Sequence, residues 1–184
     1  MSNKLISFLL VFFFCSTLYA EDILIIHQGY GNTAAKHKNR LENAGHTVTM
    51  QNTSSSYSYT AANYDQVYDI RYSYTSYSTA DTDRFKTVLS NGGTVYLVGE
   101  NGSFDSRNDA IVSFLRDVTG DNNIAHSGNS CCGSGGKYSM NENRDILTSY
   151  SASDDMTVVA SGYFSNIGTN GKWLLKDPSD ANKV

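Results

Sequence analysis

Proline is nearly absent from this chain, cysteine is scarce, and neither sign of charge dominates any stretch. One proline in 184 residues excludes a proline-rich linker or a polyproline scaffold. Three cysteines, one of them Cys15 near the amino terminus, leave the neighbours Cys131 and Cys132 for the rest of the chain, so a disulfide-rich framework is excluded. Lys and Arg number 14 against 18 Asp and Glu, a net charge of −4. Without a basic stripe, nucleic acid is not an expected partner, and neither is an anionic membrane surface. His27, His37, His46 and His126 show no metal-ligand spacing, and the aspartates form no calcium loop, so no metal is expected. No cofactor is expected either. Gly29-Tyr30-Gly31-Asn32 lacks the full dinucleotide fingerprint and the Lys-Ser/Thr pair of a phosphate loop.

What is present begins with a targeting signal. Lys4 precedes an apolar run from Leu5 to Phe14, interrupted only by Ser7, and Ala20 stands just before Glu21-Asp22. The run is too short to span a bilayer comfortably and has the form of a secretory signal peptide over residues 1–20. No comparable run follows, so residues 21–184 read as a single secreted or periplasmic domain with no membrane attachment after cleavage. An oxidising compartment permits a bond between Cys131 and Cys132. Adjacent Cα atoms lie about 3.8 Å apart, below the ordinary disulfide range, so such a vicinal disulfide would be strained. Two unbonded loop cysteines, or a crosslink between chains, are the alternatives.

The hydrophobic pattern alternates strands with helices. Ile23 to Ile26 reads as a buried strand ending at His27. Asn32 is placed to cap a helix running to about Ala44, closed by Gly45. Thr47 to Gln51 follows as a strand with Val48 and Met50 inward, and Val67 to Ile70 as the third. A helix over Thr79–Ser90 ends at Asn91-Gly92, and Thr94 to Val98 is the fourth strand. Ser106 and Asp109 have capping-box spacing ahead of an apolar stripe through Ile111, Phe114, Leu115 and Val118. Met156 to Ala160 reads as a late strand, and Gly162 to Leu175 as a hairpin turning at Gly168-Thr169-Asn170-Gly171. This order predicts a flavodoxin/Rossmann-like three-layer α/β sandwich with a mostly parallel sheet.

Two segments stand out by composition. Ser54 to Ser78 holds seven of the 13 tyrosines, and Tyr72 and Tyr74 fall on one side of an extended chain. Exposed rings of this kind stack on sugars; half-buried loop tyrosines with a wet hydroxyl are the other reading. The second segment, Asp121 to Gly136, is a long polar loop carrying His126 and the cysteine pair.

Tyr64-Asp65-Gln66-Val67-Tyr68-Asp69, a helix, and then Asn91-Gly92-Gly93-Thr94-Val95-Tyr96-Leu97-Val98-Gly99-Glu100 together resemble the class I glutamine amidotransferase-like superfamily. The likeness is to its trehalose-utilisation-protein-like branch, and Gly162-Tyr163-Phe164 with Gly168 to Trp173 is similar to the hairpin near the end of such domains. The resemblance implies a nucleophilic Cys in the turn after the Gly-Gly strand, with a His and an acid further on. Here the turn reads Gly99-Glu100-Asn101-Gly102, so the thiol chemistry of that family is not expected.

In a parallel sheet, the polar groups after each strand would converge. His27 ends the first strand, followed by Gln28, Tyr30 and Asn32; Asp69 and Arg71 end the third. Glu100, Asn101, Ser103, Arg107 and Asn108 follow the fourth, with His126 in the next loop. One reading is a non-catalytic ligand-binding or surface-interaction domain whose strand-end cleft and tyrosine-rich loop take a carbohydrate or cell-surface polymer. The alternative is a hydrolase with Glu100 as general base, His27 or His126 as its acid partner, and Arg107 holding an anion. A purely structural ion pair between Glu100 and Arg107 competes with both.

Overall fold

The computed structural model describes residues 19–29, 31–53, 58–71, 76–99, 105–127, 136–140, 156–158, 163–169, 171 and 175–176. Its centre is a four-stranded parallel sheet built from β1 (Asp22–His27), β2 (Thr47–Asn52), β3 (Gln66–Asp69) and β4 (Thr94–Leu97), in the order β2-β1-β3-β4. Three helices accompany it: α1 (Gly31–Asn43) between β1 and β2, α2 (Thr79–Ser90) between β3 and β4, and α3 (Asp105–Thr119) after β4.

β1 is central because it is apolar on both sides. Ile23, Leu24, Ile25 and Ile26 are all completely buried, which an interior strand covered by helices on both faces requires. Ile23 and Ile25 meet Ala34 of α1, Val48 and Ile70 on one face. Leu24 and Ile26 meet Val67, Phe85 and Val88 of α2, and Phe114 of α3 on the other. The chain therefore forms the expected flavodoxin/Rossmann-like sandwich. The two crossovers run in opposite directions from the centre of the sheet, and this puts α1 and α2 on opposite faces.

Local chemistry sets the ends of the elements. Ser78 and Asp81 form a reciprocal capping box at the start of α2. Gly92, at φ +84°, takes the left-handed conformation that ends this helix. Gly93 follows because a side chain there would run into Val88 and the Asp65 carbonyl. The strands of the sheet fall within a residue or so of their predicted bounds. Asn32 does not cap α1: the helix begins at Gly31 and Asn32 lies inside its first turn. Ser106 and Asp109 likewise fall within α3, which begins at Asp105, and Asp109 bonds His126 instead of closing a capping box.

The later chain departs further from expectation. β5 (Ala125–Ser127) pairs antiparallel with β8 (Tyr163–Asn166), while β6 (Gly136–Met140) pairs antiparallel with both β7 (Met156–Val158) and β9 (Leu175–Lys176). The two arms of the predicted Gly162–Leu175 hairpin thus belong to different sheets. Each arm finds a better partner far away in sequence, and turn-rich composition carries no information about such pairing. Among the described residues, no helix is long and apolar enough to cross a membrane.

Candidate functional site at the strand ends

The connection from β1 goes outward to β2, and the chain then returns to lay β3 on the opposite side of β1. The order reverses between β1 and β3, and a crevice opens at the carboxyl ends of strands where such a reversal occurs. His27 closes β1 there, Asp69 closes β3, and Gly99 follows β4.

Asp69 is the anchor of this edge. It continues the face of β3 that carries Val67, so its carboxylate points toward α2 and α3 and is completely buried. Its Oδ1 accepts hydrogen bonds from the Arg71 backbone N–H at 3.1 Å, Arg71 Nε at 3.0 Å and Arg107 Nη2 at 3.0 Å. Oδ2 accepts from Arg71 Nε at 3.0 Å and also from Arg71 Nη2. A carboxylate offers about four lone-pair sites, so this one is saturated. Arg71 Nη2 also lies 3.5 Å from Asp81 Oδ1, while Asp81 Oδ2 accepts from the Ser78 backbone N–H at 3.1 Å and the Ser78 hydroxyl at 2.9 Å. Two guanidiniums and two carboxylates are thereby packed together with no formal net charge, the arrangement that burial of ions demands.

Tyr77 seals the cluster. The guanidinium carbon of Arg107 stands 4.1 Å from its ring centroid and that of Arg71 stands 5.7 Å away. Its far edge meets Phe85 in a T-shaped contact, with centroids 5.2 Å apart. Burial pushes the phenol well above its ordinary range, and the Asp69 charge raises it further against the opposing pull of Arg107 and Arg71. The hydroxyl is therefore a permanent proton carrier at any physiological pH.

Three buried polar atoms at this edge have no hydrogen-bond partner among the described residues: Arg107 Nη1, the Tyr77 hydroxyl and His27 Nδ1. Such orphans are uncommon and call for an explanation. Arg107 is wholly enclosed, its Nε directed at the Val98 carbonyl 3.4 Å away. Asn108 is buried beside it, and its Oδ1 would lie 3.0 Å from a side chain at Gly99, so glycine there lets the amide approach the end of β4. The His27 ring lies against Gly31, with Cε1 3.9 Å from where a Cβ at that glycine would stand.

The structure thus brings Arg71, Arg107 and Asn108 to one edge, where His27 also ends its strand. It does not bring His126 into this cluster: its Nε2 lies 2.9 Å from Asp109 Oδ1 on α3. Arg107 forms a buried ion pair with Asp69; Glu100, the partner expected for it, lies outside the described residues. Gln28 is half-buried beside His27, and Asn32 is exposed on the first turn of α1. Tyr30, Tyr72, Tyr74, Glu100, Asn101, Ser103, Cys131 and Cys132 lie outside the described residues. Asp81 and Tyr77 were missed as members of the cluster. The Ser78-x-x-Asp81 spacing is a legible capping signal for Asp81, whereas nothing local distinguishes Tyr77 from its neighbouring tyrosines.

Among the described residues, no group of three or more His, Cys, Asp or Glu side chains is arranged to hold a metal ion. What the edge offers instead is oriented donors: the opening N–H groups of α1, which have no intrahelical partner, an imidazole, and guanidiniums held rigid by carboxylates. No protein-family model, curated protein or solved structure was found to match this chain.

Proposed function

We propose that this chain is a secreted, non-catalytic ligand-binding domain that takes a carbohydrate, or a polymer bearing one, in the crevice at the strand ends. The observation that carries the reading is the saturation of Asp69. Its oxygens are occupied by Arg71 and Arg107, so this buried carboxylate fixes donors in place and has no free lone pair with which to take a proton. Rigid, pre-oriented donors in a strand-end crevice suit recognition of a hydroxyl-rich ligand. The neighbouring tyrosines Tyr72 and Tyr74 would add stacking surfaces. The resemblance to class I glutamine amidotransferase-like domains belongs to the same proposal. The parallel α/β sheet supports it, and the missing cysteine after β4 accounts for a binding role in place of amide hydrolysis.

The second reading is a hydrolase using Glu100 with His27. Both histidines leave Nδ1 buried without a partner among the described residues; His27 is the one that ends a strand at this edge, whereas Nε2 of His126 is engaged by Asp109 on α3. A glycan-array assay on the purified protein, run beside Glu100→Gln and Tyr72→Ala/Tyr74→Ala variants, separates the two. Saturable binding that survives Glu100→Gln and falls in the tyrosine variant supports the binding domain. Glycan turnover abolished by Glu100→Gln would establish the hydrolase, and the absence of any binding would remove the carbohydrate reading.

A further inference from the structure

The first turn of α1 is a strand-end feature that Asp69 and its arginines do not explain. This helix has 13 residues, begins at Gly31, and carries no acidic side chain in its first turn. The opening N–H groups of a helix lack intrahelical partners and bear the positive end of its dipole. Alone this is commonplace. The independent observation is His27, which is only 6% exposed, lies against Gly31 at the mouth of that turn, and leaves Nδ1 buried without a partner among the described residues. In the neutral ring that nitrogen can carry the proton and donate it, and a buried donor left empty loses its hydration for nothing in return. The two nearby described carboxylates, Asp69 and Asp81, are both turned into arginines. No unneutralised acid among the described residues at the ends of β1 and β3 therefore opposes an incoming anion.

We infer that His27 and the first turn of α1 form an anion seat, and that it receives the carboxylate of an acidic sugar. The inference rests on the carbohydrate reading and specifies which sugars the crevice selects. A uronic acid carboxylate presents two oxygens: one can accept from the backbone N–H groups of the helix start and the other from the imidazole, a pairing that a neutral hydroxyl does not satisfy. Selection then depends on charge at the seat, and on the rest of the crevice only for the remaining hydroxyls.

The experiment is isothermal titration calorimetry of the purified protein with a galacturonic acid trisaccharide, its neutral methyl-ester counterpart and inorganic phosphate. The comparison includes His27→Ala and Asn32→Asp. The second variant places a carboxylate in the α1 first turn at an exposed position, which suits the helix dipole and leaves the fold intact while competing for the seat. The acid is expected to bind about tenfold more tightly than the ester, with Asn32→Asp erasing that preference. His27→Ala is expected to weaken the acid selectively. Equal binding of acid and ester, or acid binding indifferent to Asn32→Asp, overturns the anion seat and leaves the carbohydrate reading standing. Binding of phosphate with neither saccharide bound overturns the carbohydrate reading and with it the assignment of the seat to an acidic sugar.

Discussion

Asp69 and Arg107 stand 38 residues apart in sequence, and both side chains are completely buried with Arg107 Nη2 bonded to Asp69 Oδ1 at 3.0 Å. The bond ties the start of α3 to the end of β3, at the carboxyl edge of the sheet. Removing either member leaves an uncompensated buried charge, which costs about 3–5 kcal/mol. The two removals are not equivalent. Arg107→Met leaves Asp69 with Arg71, whereas Asp69→Ala removes the carboxylate that both arginines share and leaves Arg71 its longer contact to Asp81. Urea denaturation should therefore rank Asp69→Ala as the more destabilising, and the reverse order would show that Asp69 is not the anchor of the edge.

The capping box of α2 serves the same cluster. Ser78→Ala removes the acceptor for the Asp81 backbone N–H, at an expected cost of about 1 kcal/mol. Asp81→Ala removes both the return bond to Ser78 and a partner of Arg71, so its cost should exceed that of Ser78→Ala. Thermal unfolding of the two variants checks the order. Equal losses would mean that the contact to Arg71 contributes nothing.

Gly93 has a different constraint. Its own φ is ordinary, and what forbids a side chain is the Val88 carbonyl 3.0 Å away, Val88 Cγ1 at 2.8 Å and the Asp65 carbonyl closer still. Two of these atoms are backbone and cannot swing aside. Gly93→Ala is expected to cost about 1–3 kcal/mol, the range for overpacking in a tight core. A neutral result in chemical denaturation would show that the turn from α2 into β4 yields easily.

Asp121 makes a pH-sensitive clip at the surface. Its Oδ2 accepts from the Thr169 hydroxyl and backbone N–H, each at 2.6 Å, and Oδ1 accepts from the Asn123 N–H at 2.9 Å. The Thr169 hydroxyl bond, followed by the backbone bonds, lowers its pKa from 3.8 to about 2. Because the folded value lies below the unfolded one, the clip is at full strength above pH 3.8 and is lost as pH falls toward about 2. The protection of the Thr169 amide, relative to its exchange rate in an unstructured chain, should fall across that window and should be lost at all pH values in Asp121→Ala. A flat profile in the native chain would show that the clip does not protect this amide.

Much of the framework is readable from local chemistry. The run Ile23 to Ile26 can only be a strand covered on both faces, since four consecutive large apolar residues leave no polar side for solvent. Phe85 and Val88 recur at helical spacing, and Asn91-Gly92-Gly93 stops the helix because glycine accepts the positive φ that ends it. Asn32 and Ser106 show the limit of that approach. Both have capping chemistry, yet α1 and α3 begin one residue earlier, where the crossing from each strand sets the entry.

Residue types and strand periodicity alone determined the parallel α/β architecture, and they put His27, Asp69 and Gly99 at strand ends, because hydrophobic pattern and glycine conformation act over a few residues. Only the tertiary structure decided that Arg107 meets Asp69, that Tyr77 covers both arginines, and that the arms of the late hairpin join different sheets. Those pairings join residues far apart in the chain. Desolvation of the assembled core selects among many charge partners of equal local merit, and that selection has no signature at any single position.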